Sequence, residues 1–114
     1  MKGAPAPHIT TVPAGRPVRV TFKGEVIADS RDAVVLTEGS YPAVYYFPRK
    51  DVKMDRLVRS EHKTHCPFKG DASYFSIGKE NKNVVWSYES PFDEMLVIKD
   101  LLAFYPDKVQ IAAS

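Results

Sequence analysis

The sequence predicts a mainly β single domain, and three observations carry that prediction. Apolar and polar residues alternate along short runs from residue 18 to residue 111. Clusters of Gly, Pro, Asn and Ser interrupt the runs at spacings of about 8 to 12 residues. A helix-start pattern occurs only near residues 91–98.

Taken in order, residues 1–17 hold Pro5, Pro7, Pro13 and Pro17 and follow no period, so an extended arm along the surface of a domain spanning 18–114 is expected. Residues 18–22 and 25–29 alternate on either side of Gly24 as a first hairpin. Residues 34–37 and 43–47 flank Gly39-Ser40 as a second, stopped by Pro48. The charged stretch 49–55 suits a turn or one helical turn, and residues 57–61 can return as a strand leading into a polar loop over 62–74. Residues 72–77 and 84–88 form a third hairpin across the polar turn 78–83. Ser90 before Pro91, with Asp93 and Glu94 where a helix dipole favours negative charge, predicts one short helix near 91–98. Residues 101–105 resume a strand, Pro106-Asp107 turns, and 109–111 close an edge. Such an arrangement is a small, strongly bent sheet or partly open barrel with one helix near the C-terminus.

A chain of 114 residues, 44% hydrophobic and 11% aromatic, can bury a core without metal or disulfide staples. No apolar run reaches the ~18 residues that would span a bilayer, so no membrane partner is expected. Residues 1–7 lack the apolar stretch of a secretory signal, and one cysteine, Cys66, cannot form an internal bridge, which together predict a cytoplasmic protein. The net charge of +2 is too small to point to nucleic acid. Its distribution says more, because residues 49–69 hold seven basic residues against three acidic ones. No cofactor motif is present, and no cofactor is expected.

Residues 60–74 concentrate the chemistry: His62, His65, Cys66, Lys63, Lys69, Glu61 and Asp71 all fall within them. Cys66 is a candidate nucleophile, since histidine or lysine cations favour a thiolate, although a lone cysteine also serves as a small apolar residue. Pro67 holds Cys66 extended, which sends His65 to the opposite face and leaves His62 as the better partner through space. His62, His65 and Cys66 are also candidate metal ligands, with a fourth ligand from Asp71 or His8. Their spacing matches no established site, so no metal is expected. Lys69-Gly70-Asp71 can cradle an anion with the Ser73 and Tyr74 hydroxyls, or simply make a tight turn with Gly70 at positive φ. Alternation puts Phe75 and Ile77 on one face and Tyr74 and Ser76 on the other, and lets Trp86 and Tyr88 share a face whose polar tips suit a ligand cleft.

Several segments resemble one family, the bacterial domain of unknown function numbered 427, sometimes labelled nucleotidyltransferase-like. They are residues 24–30 (Gly-Glu-Val-Ile-Ala-Asp-Ser), 44–49 (Val-Tyr-Tyr-Phe-Pro-Arg) with 51–52 (Asp-Val), 64–74 (Thr-His-Cys-Pro-Phe-Lys-Gly-Asp-Ala-Ser-Tyr), 85–88 (Val-Trp-Ser-Tyr) and 103–105 (Ala-Phe-Tyr). The resemblance implies a tent-like β fold of two roughly orthogonal antiparallel sheets, like methionine sulfoxide reductase B and the cereblon ligand-binding domain. Those proteins hold a zinc with paired Cys-x-x-Cys ligands, which a chain with one cysteine lacks, so no zinc is expected. The residues show no Gly-Ser pair followed by an Asp-x-Asp pair of the kind a nucleotidyl transfer site uses.

The expected function is binding of a small polar or anionic molecule in a cleft lined by the 62–74 loop, Arg49, Tyr45 and Trp86. His62, His65, Cys66, Lys69, Asp71 and Tyr74 are expected to converge there, with Lys69 and Arg49 supplying positive potential. An alternative is a transferase or hydrolase using Cys66 and His62, and a third is a module whose basic face meets a polyanion or an acidic protein.

Overall fold

A computed structural model describes residues 9–79 and 81–114. Within them the alternating runs form ten strands in three antiparallel sheets. β-Branched and aromatic residues fill the strands because their restricted side chains suit a pleated surface. One sheet joins β1 (Ile9–Pro13), β4 (Val34–Glu38) and β5 (Val44–Tyr46), with β4 in the middle. A second joins β2 (Val18–Phe22), β3 (Glu25–Ser30) and β10 (Gln110–Ala113), with β2 in the middle. The third runs β6 (Leu57–Cys66), β7 (Gly70–Ile77), β8 (Asn81–Ser87) and β9 (Leu102–Phe104) in that order.

All three expected hairpins form. The first turns through Lys23 and Gly24, both at positive φ (51° and 80°), the twist that a two-residue hairpin loop needs. Of the expected arm, residues 9–17 are described, and Ile9–Pro13 form β1, in register with β4 from Ile9 opposite Glu38 to Pro13 opposite Val34. The helical segment lies at Asp93–Ile98 and winds as 3-10 turns around a non-helical Met95. At three residues per turn Met95 and Ile98 stack, and both are buried.

Two expectations need correction. Three sheets form instead of two, because the chain turns corners where paired strands end. Phe47, beyond β5, exchanges backbone hydrogen bonds of 2.8 and 2.9 Å with Leu102 of β9, and Val52 bridges to Ala28 of β3. The 62–74 segment is a hairpin and not a loop, since β6 runs to Cys66, past a bulge between Arg59 and Lys63, and β7 starts at Gly70. Pro67 sits second in the four-residue turn closed by the Lys69 amide donating to the Cys66 carbonyl at 3.3 Å.

The four-stranded sheet divides the core. On one face Ala72, Tyr74 and Ala103 pack with Leu36 and Tyr46 of the β1-β4-β5 sheet and with Met95 and Ile98. On the other, Phe75, Ile77, Val85 and Phe104 pack with Val18, Val20, Ile27 and Ala28. Covered on both faces, β7 is buried from Ala72 to Ile77. Each large side chain buried there contributes about 1.5–3 kcal/mol, so a one-residue slip that exchanged the two faces would cost several times that.

Candidate functional site

The register of the four-stranded sheet pairs Tyr74 with Trp86 and Trp86 with Ala103, which lines these side chains across one face. Alternation along β4 and β5 aims Leu36, Glu38, Val44 and Tyr46 back toward them. Between the two sheets lies a cavity of about 220 Å³ that Lys69 enters from the β6–β7 turn. The turn is fixed by close contact. The Lys69 carbonyl accepts from the Phe92 amide at 3.0 Å, and a Cβ on Gly70 (φ 114°) would stand 3.3 Å from the Pro91 Cα.

Lys69 Nζ donates to Glu38 Oε1 at 2.7 Å and lies 3.6 Å from Cys66 Sγ. The side chains of this ion pair are only 10% and 23% exposed, so the two charges balance each other in surroundings largely removed from water. Tyrosines ring the pair. Trp86 Nε1 donates to the Tyr46 hydroxyl at 3.4 Å, and the Tyr74 hydroxyl lies 2.9 Å from Thr64 Oγ1 and 3.5 Å from the Tyr105 hydroxyl. Burial pushes the Tyr46 phenol up to about 12, against the Trp86 hydrogen bond that lowers it. Burial, then the bond to Tyr74, raises Tyr105 to about 12, and burial raises Tyr88 as well. These phenols therefore stay neutral near pH 7 and act as hydrogen-bonding groups.

Trp86 also walls a second, apolar cleft of about 470 Å³, built with Pro42, Tyr45, Phe104, Pro106 and Ile111. Tyr41, Pro42, Val44 and Trp86 border both spaces.

Of the residues singled out from sequence, Lys69, Tyr74 and Trp86 line the polar cavity, and Tyr45 lines the apolar cleft. Cys66 sits beside Lys69, and the His62 ring packs edge-on against Tyr74 with centroids 4.6 Å apart. His65 and Asp71 are cross-strand partners joined at 2.7 Å through Nδ1 and Oδ1, both exposed and in the opposite strand phase to Cys66 and Tyr74. Arg49 lies elsewhere. Its guanidinium packs 5.6 Å from Phe75, on the face turned from the cavity, and donates to Glu89, Ser87 Oγ and the Asp100 carbonyl. Arg59 makes two further bonds to Glu89. The Arg59 bonds, and then those from Arg49, hold the Glu89 carboxyl down at about 2 despite partial burial.

The local charge is compensated as well. Within 49–69, Arg49 and Arg59 pair with Glu89, Lys50 with Asp32, Arg56 with Glu25 and Lys69 with Glu38. Among the described residues no three His, Cys, Asp or Glu side chains gather as metal ligands, and His8 lies outside those residues. His62 and Cys66 are four residues apart on β6, about 13 Å of extended strand, too far for one to deprotonate the other directly.

Sequence reasoning missed Glu38, Tyr46, Tyr105 and Tyr41. Glu38 left one signal, a carboxylate in strand phase with the buried Leu36. The profile of the family described as "Domain of unknown function (DUF427)" matches residues 10–114 of the chain. No curated protein matches it.

Proposed function

The chain belongs to the DUF427 family, and from the cavity built by its central hairpin we propose that it binds a small molecule whose polar group sits against Lys69 and Glu38. One observation carries this reading: Lys69, Tyr74 and Trp86, from two strands and a turn, share a cavity with Glu38, the partner of Lys69 in a largely buried ion pair. Such a pair is costly to desolvate and weak as a stabiliser, so its place in a cavity wall is better accounted for by recognition than by folding. In this reading the domain works in the cytoplasm, where a free thiol such as Cys66 stays reduced.

The two rival readings have less support. In a Cys66–His62 enzyme the histidine stands four strand residues from the thiol, and among the described residues five of the seven cations that a polyanion-binding face would use are already ion-paired. Screening small water-soluble fragments by NMR on isotope-labelled protein tests the proposal. Binding fragments should shift the indole N–H of Trp86, the chain's one tryptophan, together with the amides of Lys69 and Tyr74. Fragments that bind while shifting only residues outside the cavity would overturn it.

A further inference from the structure

We infer that the ligand is an uncharged molecule of two parts: a head that both donates and accepts hydrogen bonds, held by Glu38 and Lys69, and a flat apolar arm lying along Trp86. This inference rests on the binding reading above and narrows it to a chemical class.

The head is set by the ion pair. Lys69 uses N–H groups on Glu38 Oε1 and toward Cys66 Sγ, which leaves a third to donate to a ligand acceptor. The bond to Lys69 engages Oε1 of Glu38, so Oε2 is the atom placed to accept from a ligand donor. A carboxylate or ammonium head would add an uncompensated charge to a site that is already neutral and largely dry. Whichever sign it carried, it would face a like charge on one of the two partners within a few ångströms. An amide-like head satisfies both partners without that cost.

The arm is set by continuity. The polar cavity, about 220 Å³ and equal in volume to about seven waters, is the smaller of the two spaces and holds the polar partners. The adjoining cleft is about 470 Å³, and Trp86, Pro42, Val44 and Tyr41 form the border of both. Trp86 packs against Tyr46 (centroids 6.4 Å, planes at 88°) and against Tyr105 (4.6 Å, 47°). A ring attached to the head passes along the indole into walls made by Tyr45, Phe104, Pro106 and Ile111.

The test uses benzamide, benzoate and benzylammonium, which share a ring and differ in the head, each titrated into the full chain by NMR at constant pH and salt. Benzamide should shift Lys69, Trp86 and Ile111 together and bind at least about tenfold more tightly than either ion, the size expected when a buried partner is left mismatched. Benzoate or benzylammonium binding as tightly as benzamide, with the same residues shifted, overturns the uncharged class and leaves the binding reading standing. Benzamide shifting the cleft residues without Lys69 overturns the two-part placement. No shift from any of the three up to their solubility overturns this inference and the binding reading together.

Discussion

Lys69 is where residue type and position disagree most. A lysine in a polar hairpin reads as a solvated cation, and on sequence alone Lys69→Ala is expected to leave the fold intact. The side chain is instead buried on Glu38. Lys69→Ala strips a carboxylate of its partner, and a loss of about 1–3 kcal/mol in urea denaturation is expected, discounted for the partial exposure of Glu38. The double variant Glu38→Gln with Lys69→Met should recover most of that loss, since neither charge is then stranded. Tyr74 and Trp86 were legible as site candidates because polar-tipped residues stood in phase on strands, and Lys69 because a lysine before Gly70-Asp71 can face an anion. Glu38 was not, because a single charge closing an apolar strand looks like its end. Arg49 lies outside the cleft expected for it: its neighbourhood depends on Glu89 and Asp100, 40 and 51 residues away, which no local pattern reports.

At the scale of elements, the β6–β7 hairpin decides where the site lies, and its turn depends on Gly70. A φ of 114°, with the Pro91 backbone 3.3 Å from where a Cβ would stand, makes alanine doubly unfavourable there, whereas Gly39, at φ 55°, has nothing within 4 Å. Gly70→Ala should cost about 1–3 kcal/mol and Gly39→Ala about 1 kcal/mol by chemical denaturation. Equal costs would mean that the contact with residues 90–92 does not hold the turn. The strand character of residues 62–66 is hidden from sequence reasoning for a physical reason. β6 is the edge of its sheet, residues 61–65 are exposed on both phases, and an edge strand without a buried face shows no apolar period. Three unpaired positions between Arg59 and Lys63 interrupt it further. The segment near residues 91–98 was legible as helical from its start signals, but the buried spacing of Met95 and Ile98 selected the tighter 3-10 winding.

Across the whole molecule, three hairpins and the mainly β class were legible because each rests on neighbours in sequence. The division into three sheets was not, since β10 meets β2, with Gln110 opposite Thr21 and 89 residues from it, and residue 47 meets residue 102 across about half of the chain. Stability against pH is also a property of the whole. Glu89 titrates at about 2 when folded and 4.5 as a free group, so its contribution is complete above pH 4.5 and is lost as pH falls through about 2. Tyr46 titrates at about 12 against 10.0, so its contribution is complete below pH 10 and is lost as pH rises through about 12. Glu89→Gln should lessen the slope of the acid limb of a denaturation-midpoint profile, and Tyr46→Phe that of the alkaline limb, to which Tyr88 and Tyr105 also contribute, each leaving the other limb unchanged.

The central claim is that the space between Glu38, Lys69, Tyr74 and Trp86 is a ligand site. A crystal structure of the protein with benzamide tests it most directly. The amide should lie within hydrogen-bond distance of both Lys69 Nζ and Glu38, with the ring against the Trp86 indole. Benzamide ordered at another surface, with this cavity filled by water alone, would contradict it.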